Sequence, residues 1–330
     1  MTEANTAILL RRRPQGMPVP EDFALVRLPI PEPGAGEVLV RARWLSLDPY
    51  MRGRISDAAS YAKPVAVDAV IEARTVGHVL ASRAPGFAPG DWVLGGYGWQ
   101  THSCVPGAQL LKLDPEEAPV QTALGILGMP GLTAFVGLSD IGRPKRGETV
   151  VVSAASGAVG AVAGQLAKQA GARVVGIAGG GAKCRYVVDE LGFDAAIDHR
   201  GEIGAGLDAH CPDGIDVYWE NVGGAVQAAV FPRLRDFARM VMCGMIAEYN
   251  APPLPGPGLM AAVRKRLRIQ GFIVSDSWAR YPEWRARAVP MLRDGRLKYR
   301  EDVVEGLAQA PAAFIGLLQG RNFGKLLVRL

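Results

Sequence analysis

Between residues 154 and 160 the chain reads Ala154-Ala155-Ser156-Gly157-Ala158-Val159-Gly160, directly after the apolar run TVVVS (149–153) and directly before the helical run AVAGQLAKQAGA. Counted from Ala155 this is A-x-G-x-x-G, the dinucleotide fingerprint with alanine in the first glycine's place. The chemistry such spacing serves is anion binding. Gly157 lets backbone approach a pyrophosphate, Gly160 lets helix and strand pack closely, and a helix N-terminus offers unpaired N–H groups with roughly half a positive charge. NAD-specific folds place an acid about 20 residues further on to bind the ribose 2′-hydroxyl. Between Ala161 and Val188 there is no Asp or Glu, whereas Lys183 and Arg185 follow the glycines at 179–181. A carboxylate there would repel a 2′-phosphate; glycines make room for it and Lys183 can neutralise it. The expected cofactor is therefore NADPH rather than NADH. The competing reading is that Lys183 and Arg185 only solvate a helix start.

Metal chemistry finds no comparable pattern. Structural zinc sites use closely spaced Cys pairs, and catalytic ones use converging Cys, His or carboxylate ligands. Cys104, Cys184, Cys211 and Cys243 include no Cys-x-x-Cys pair, His78 lies in an alternating stretch, and His102-Ser103-Cys104 is the one close His/Cys pair. All read as structural, so no metal is expected and a substrate would be polarised by hydrogen bonds alone. Isolated cysteines with no export signal in the first thirty residues read as reduced thiols of a cytosolic protein.

The elements that must position these residues follow from composition and periodicity. A chain of 330 residues with 49% apolar and 21% charged side chains is core-forming, which excludes disorder and collagen-like repeats. The N-terminal third reads as strands and turns, with Val38, Val40, Ala42 and Trp44 on one face of a strand and GFAPGDWVLG (86–95) as a turn leading into another. From Thr149 strands alternate with helices: 149–153, then helix 158–170; 173–178, then 182–191; 195–197; 215–220, then 224–236; 238–243; and 267–274. That is a parallel, doubly wound sheet covered on both faces. The uncharged windows Ala118–Ser139 and Thr149–Ala167 are too interrupted by polar residues, glycine and proline to be membrane spans. Net charge is +5, yet residues 264–300 hold eleven Lys/Arg against three Asp/Glu, a local +8. Broken by apolar residues at helical spacing, it reads as a solvated helix face, with a nucleic-acid backbone as the alternative partner.

Together LSLDPYMRGR (45–54), LGMPGLTA (127–134), AASGAVGAVAGQLAKQAG (154–171), VVGIAGGGAKCR (174–185), ENVGG (220–224), CGMIAEYN (243–250), RLRIQGFIV (266–274) and GRNFGKLLVRL (320–330) span essentially the whole chain. In order and spacing they resemble the zinc-independent branch of the medium-chain dehydrogenase/reductase superfamily. The specific likeness is to the NADPH-dependent 2-alkenal, curcumin and prostaglandin reductases, and most of all to the bacterial curcumin-reductase branch. The resemblance implies a Rossmann α/β domain over 126–297, inserted in a GroES-like β-rich catalytic domain formed by 1–125 and 298–330. It implies that Ala155, Ser156, Gly157, Ala158, Val159 and Gly160 hold the pyrophosphate and that Gly180 and Lys183 receive the 2′-phosphate. Many relatives carry a tyrosine after the third strand of the alternation. Here Asp198-His199-Arg200 stands there, so His199 or Arg200 is expected to take over that contact. Asn221, the run Cys243, Gly244, Met245 and Ile246, and Phe272, Ile273 and Val274 would line the rest of the cofactor. So would Asn322, Gly324, Pro49 and Met129, with Thr133 near the nicotinamide. The family is commonly dimeric through the sheet edge, which makes 267–274 an interface candidate.

The reaction implied is hydride transfer to the β-carbon of an α,β-unsaturated aldehyde or ketone, then protonation of the enolate at the α-carbon. A tyrosine phenol, protonated at neutral pH, suits the donor role. Tyr50 and Tyr249 are the candidates, Tyr249 also touching cofactor, against the alternative that each ring only packs. Tyr61, Tyr97 and Trp99 are candidate substrate-lining residues. Asp48 and Arg52 read as a local salt bridge beside Tyr50. Animal prostaglandin reductases carry a tyrosine where this chain has Arg264-Lys265-Arg266, which argues against a bulky eicosanoid substrate. The expected partners are a small enal or enone and a second copy of the chain, with no nucleic acid and no membrane. A zinc-free quinone reductase and a non-catalytic NADPH- or RNA-binding protein are the rival readings.

Overall fold

The structure, a computed structural model, describes residues 4–251 and 254–330. The chain forms two compact units: the residues up to Gly125 with Glu301–Asn322 and Leu326–Leu330, and Ile126–Arg300 with Phe323–Lys325. The first unit begins with strands β1 (Asn5–Leu10), β2 (Phe23–Leu28), β3 (Glu37–Ser46), β4 (Thr75–Ser82), β5 (Trp92–Gly95), β6 (His102–Pro106) and β7 (Leu111–Leu113), with helix α1 (Met51–Arg54) after β3. The second holds α2 (Met129–Val136), β8 (Thr149–Ser153), α3 (Gly160–Gln169), β9 (Arg173–Ala178), α4 (Gly181–Arg185), β10 (Ala195–Asp198), α5 (Ile203–His210), β11 (Ile215–Glu220), α6 (Gly224–Val230), β12 (Leu234–Met242), α7 (Met260–Lys265), β13 (Arg268–Gly271) and α8 (Tyr281–Arg293). β14 (Glu301–Glu305), α9 (Ala310–Leu318) and β15 (Lys325–Arg329) follow.

In the first unit β1 and β2 pair antiparallel, and a larger sheet runs β14-β15-β3-β4-β5-β7 with β6 also on β3. Val38, Val40 and Ala42 of β3 are buried as the alternation requires. A register shift against β4 between Ala42 and Trp44 then reverses the face, so Leu45 rather than Trp44 enters the core. Trp99 is fully buried, stacked on Phe23 at 5.8 Å and edge-on to Phe314 of α9 at 5.7 Å.

The second unit carries a wholly parallel sheet in the order β10-β9-β8-β11-β12-β13. Chain order reverses between β8 and β11, the switch point at which such sheets bind ligands beyond their carboxyl ends. The strands read from the sequence at 149–153, 173–178 and 215–220 have those bounds. Two differ. The strand expected at 238–243 starts earlier, at Leu234, because a bulge near Phe237 (φ 62) absorbs the register shift against β11. The strand expected over 267–274 stops at Gly271, where Phe272 leaves the sheet to pack edge-on to Trp219 at 6.1 Å. The second unit also reaches Arg300 and takes up Phe323–Lys325, where the reading of the sequence put a boundary at 297. The Arg300 guanidinium lies 4.1 Å from the Phe323 ring centre, and the Lys325 N–H donates to the Arg300 carbonyl at 2.9 Å. Among the described residues no helix is long and apolar enough to cross a membrane.

Candidate cofactor and active-site residues

Beyond the end of β8, Ala154 takes a left-handed conformation (φ 48) and the chain turns into α3. The Gly157 N–H donates to the Ala154 carbonyl at 2.9 Å and the Ala161 N–H to the Gly157 carbonyl at 3.0 Å, so the turn is held by its own backbone. A Cβ on Gly160 would lie 2.4 Å from the Ala154 oxygen, while one on Gly157 would lie 3.1 Å from it. Gly160 is thus the sterically compelled position, and Gly157 the less constrained one. Ala155, in the first glycine's place, directs its methyl at Gly176 of β9, where an added Cβ would come within 2.8 Å of it. The methyl that the fingerprint forbids is housed by a glycine on the next strand. Nothing in the A-x-G-x-x-G spacing signals this; the glycine inside RVVGIA does. Such a cradle, which a Cβ would fill, at a helix N-terminus fits a pyrophosphate.

After β9, Gly180 sits at φ 90 and its N–H donates to Asp198 of β10 at 2.9 Å. Asp198 also accepts the Arg200 N–H at 3.0 Å, and these two backbone bonds hold its carboxyl below the usual range. The one acid at this strand end is therefore committed to backbone. The three glycines are each covered by a basic side chain. A Cβ on Gly179 would lie 2.8 Å from His199 Nε2, on Gly180 2.9 Å from an Arg200 terminal nitrogen, and on Gly181 3.4 Å from one of Arg185. With Lys183 on α4, four basic residues gather where a 2′-phosphate is expected.

At the ends of β11 and β12 the backbone loops are tied together. Asn221 Nδ2 donates to the Ser153 carbonyl at 2.7 Å and Asn221 Oδ1 accepts from Trp219 Nε1 at 3.1 Å. The Ile246 N–H donates to the Asn221 carbonyl at 3.2 Å and the Ala247 N–H to that of Val222 at 2.9 Å. The Tyr249 hydroxyl lies over Gly244, 3.1 Å from where a Cβ there would stand. Burial, with the Glu220 charge second, pushes the Cys243 thiol up to about 12. Asn221, Cys243 to Ile246 and Tyr249 are thus gathered beside the phosphate turn. Phe272 and Trp219 meet over Gly137, just past the end of α2. Thr133, on α2, spends its hydroxyl on the Met129 carbonyl at 2.8 Å. Gly324 (φ 89) is compelled, since a Cβ would lie 2.2 Å from the Arg300 oxygen. Its neighbour Phe323 packs edge-on to Tyr186 at 5.2 Å, and burial pushes the Tyr186 phenol up to about 12. Neither Tyr186 nor Arg300 stands in a motif that marks it in the sequence.

In the first unit Pro49 and Tyr50 lead into α1. Burial, then the charge of Asp48, raises the Tyr50 phenol far above its usual range, so it stays protonated at any ordinary pH. The Arg54 guanidinium lies 6.0 Å from the Tyr50 ring centre and 5.5 Å from that of Tyr61, so the two tyrosines share one cation. Asp48 accepts from Ser46 Oγ, and Arg52 donates to the Gly16 carbonyl at 2.9 Å. Tyr61 is 60% exposed. Tyr97 and Trp99, expected to line a substrate pocket, are core residues instead. Tyr97 packs among Val38, Val93 and Leu110 and donates its hydroxyl to the Val93 carbonyl at 3.2 Å, while Trp99 fills the space between Phe23 and Phe314. Both rings are buried, as large apolar rings tend to be when a sheet can enclose them.

His78 accepts from Arg43 Nε at 3.3 Å and His102 takes its place in β6, its N–H donating to Asn5 Oδ1 at 3.0 Å. Among the described residues no group of three His, Cys, Asp or Glu is arranged to hold a metal. Much of the basic stretch is engaged. Arg266 pairs with Asp236, Arg280 with Asp140 and Glu283, Arg296 with Asp294, and Lys265 caps the carbonyls of Pro232 and Leu234.

Residues 6–113 match a family model described as the N-terminal domain of oxidoreductase, and 158–293 one described as zinc-binding dehydrogenase. The chain is 47% identical to the NADPH-dependent curcumin reductase of Escherichia coli (strain K12), over 99% of this chain and 97% of that one. It is 40% identical to the 2-alkenal reductase (NADP(+)-dependent) of Nicotiana tabacum, over 98% and 97%. The crystal structure of CurA in complex with NADPH from Vibrio vulnificus superposes with a TM-score of 0.94 at 49% identity, covering 98% of each chain.

Proposed function

Because the chain belongs to the NADPH-dependent curcumin, 2-alkenal and prostaglandin reductase family of the medium-chain dehydrogenase/reductases, we propose that it reduces the carbon–carbon double bond of α,β-unsaturated aldehydes and ketones. It is an NADP-dependent oxidoreductase. The observation that carries the cofactor half of this reading is the glycine turn 179–181 under His199, Arg200 and Arg185, with Asp198 turned to backbone. Residues 155–160 would hold the pyrophosphate, Lys183 with that basic group the 2′-phosphate, and Asn221 with Cys243 to Ile246 the remainder.

Bound NADPH supplies a hydride, which the substrate accepts at its β-carbon. The π pair then shifts toward the carbonyl and leaves an enolate, whose α-carbon takes a proton. The chain's part is to hold the carbonyl and provide that proton. Tyr50 and Tyr249 are the residues assigned to it. Burial of Tyr50 supports a hydrogen-bonding role toward the developing oxyanion, because a phenol raised in pKa keeps its O–H to donate while becoming a weaker acid. Tyr61, joined to Tyr50 through Arg54, is assigned to the substrate.

The test is NADPH oxidation over a panel of short 2-alkenals, cyclic enones, curcumin-like dienones and quinones, with Tyr50→Phe and Tyr249→Phe alongside. Enal and enone turnover above quinone turnover is expected, with kcat lowered in at least one variant while NADPH binding is kept. Preference for quinones, or unchanged kcat in both variants, would overturn the assignment.

A further inference from the structure

Glu220, the last residue of β11, is fully buried with both carboxylate oxygens occupied. One accepts from Ser153 Oγ at 2.9 Å and from the Val222 N–H at 2.6 Å; the other accepts from Gln227 Nε2 at 3.2 Å. Its main-chain oxygen takes the N–H groups of Cys243 at 2.9 Å and Gly244 at 3.1 Å. Ser153 Oγ in turn accepts the Asn221 N–H at 2.8 Å. One residue thereby ties three segments: the end of β8 that opens the phosphate turn, the turn after β11, and the loop after β12. No Lys or Arg among the described residues pairs with it, and an uncompensated carboxylate is expensive to bury unless hydrogen bonds satisfy it. Each group facing the carboxylate donates in this arrangement. A glutamine keeps one acceptor oxygen but puts an NH₂ where Glu220 accepts from Gln227, so that contact survives only if Gln227 turns its amide.

We propose that Glu220 is a positioning residue for the cofactor: it sets the mutual register of the turns at 153–157, 221–224 and 243–246, and so the seating of the nicotinamide half, without touching the cofactor. This rests on the reading of those turns as the cofactor site.

The experiment compares two ligands on Glu220→Gln and Glu220→Asp. NADPH, followed by its fluorescence on binding, spans all three turns; 2′,5′-ADP, followed by calorimetry, reads only the adenosine end beside Lys183. Misplacement of supporting groups by about 1 Å costs roughly 10–100-fold, so NADPH Kd should rise by that factor while 2′,5′-ADP stays within about twofold. Unchanged NADPH Kd, or equal weakening of both ligands, would overturn the proposal. Should these variants not fold, Gln227→Leu and Ser153→Ala each remove one donor and are expected to give the same selective loss, about 3–10-fold; no selectivity in either refutes it equally. NADPH binding that survives Gly160→Val would instead remove the cofactor-site reading itself, a failure separate from that of Glu220.

Discussion

The steric demand at Gly160 gives the sharpest quantitative test. In Gly160→Ala the new methyl would stand 2.4 Å from the Ala154 oxygen and 3.1 Å from the Ala155 Cα, where contacts under 3.0 Å essentially do not occur. The first is short by about 0.6 Å, so strand end and helix must part by about that much. Helix α3 cannot retreat freely, because Gly164 on the next turn is pressed against the Phe193 ring, which a Cβ there would meet at 1.7 Å. Forcing a methylene into such a junction costs about 1–3 kcal/mol, and at this unit's size that is a fall in Tm of roughly 2–10 °C. Displacing the turn's amides by more than half an ångström should also weaken NADPH by about 10–100-fold. Differential scanning calorimetry and fluorescence titration measure the two effects. Gly157→Ala is the internal control: its methyl would meet nothing nearer than 3.1 Å, so it should lose clearly less stability. Equal losses in the two variants, or a neutral Gly160→Ala, would show that the close approach at Gly160 does not constrain the helix.

Lys183→Glu should cut the kcat/KM preference for NADPH over NADH by about 10–100-fold, measured with both cofactors on one enone; an unchanged ratio assigns the 2′-phosphate elsewhere. Tyr97→Phe should lower stability by about 1 kcal/mol in urea unfolding through loss of the bond to Val93, with enone KM unaltered, because the ring is core rather than pocket. Burial raises the Cys211 thiol to about 11 from an ordinary value near 9, so the folded state keeps a proton that the unfolded chain releases. The corresponding stability is present below pH 9 and drains away as pH climbs toward 11, by up to about 1.4 kcal/mol per pH unit; Cys211→Ala should flatten that alkaline slope in pH-dependent unfolding. We propose a homodimer through β13, which among the described strands pairs only with β12; Ile269→Glu, at a 38% exposed edge position, should shift sedimentation from dimer to monomer.

The nucleotide-binding sheet was legible because parallel strands buried on both faces are written as apolar runs, and TVVVS and RVVGIA carry their own boundaries. The first unit was harder. Its short strand β6 pairs with β3 far back in the chain, and β3 changes face at a bulge that no alternation announces. Within the candidate site, the glycine turn and Lys183 are read from spacing and from the missing acid, and Asn221 from the family resemblance. What spacing does not hold is pairing across strands: the Gly176 pocket for the Ala155 methyl, and the cation shared by Tyr50 and Tyr61. Tyr97 and Trp99 were misplaced for the same reason, since only the folded sheet shows which aromatic rings it encloses.

The glycine triplet 179–181 bears on how this cofactor preference can change. An acid introduced at Gly180 to favour NADH would meet a backbone at φ 90, which side chains rarely adopt, and would displace the Arg200 guanidinium that lies 2.9 Å from the new Cβ. At Gly179 it would collide with His199 instead. At Gly179 and Gly180 an acid therefore takes up the space of a basic side chain, which has to swing aside to admit it. On the proposed assignment the preference rests on residues from two strand ends at once, so an acid placed on the glycine turn still faces the bases contributed by the neighbouring one.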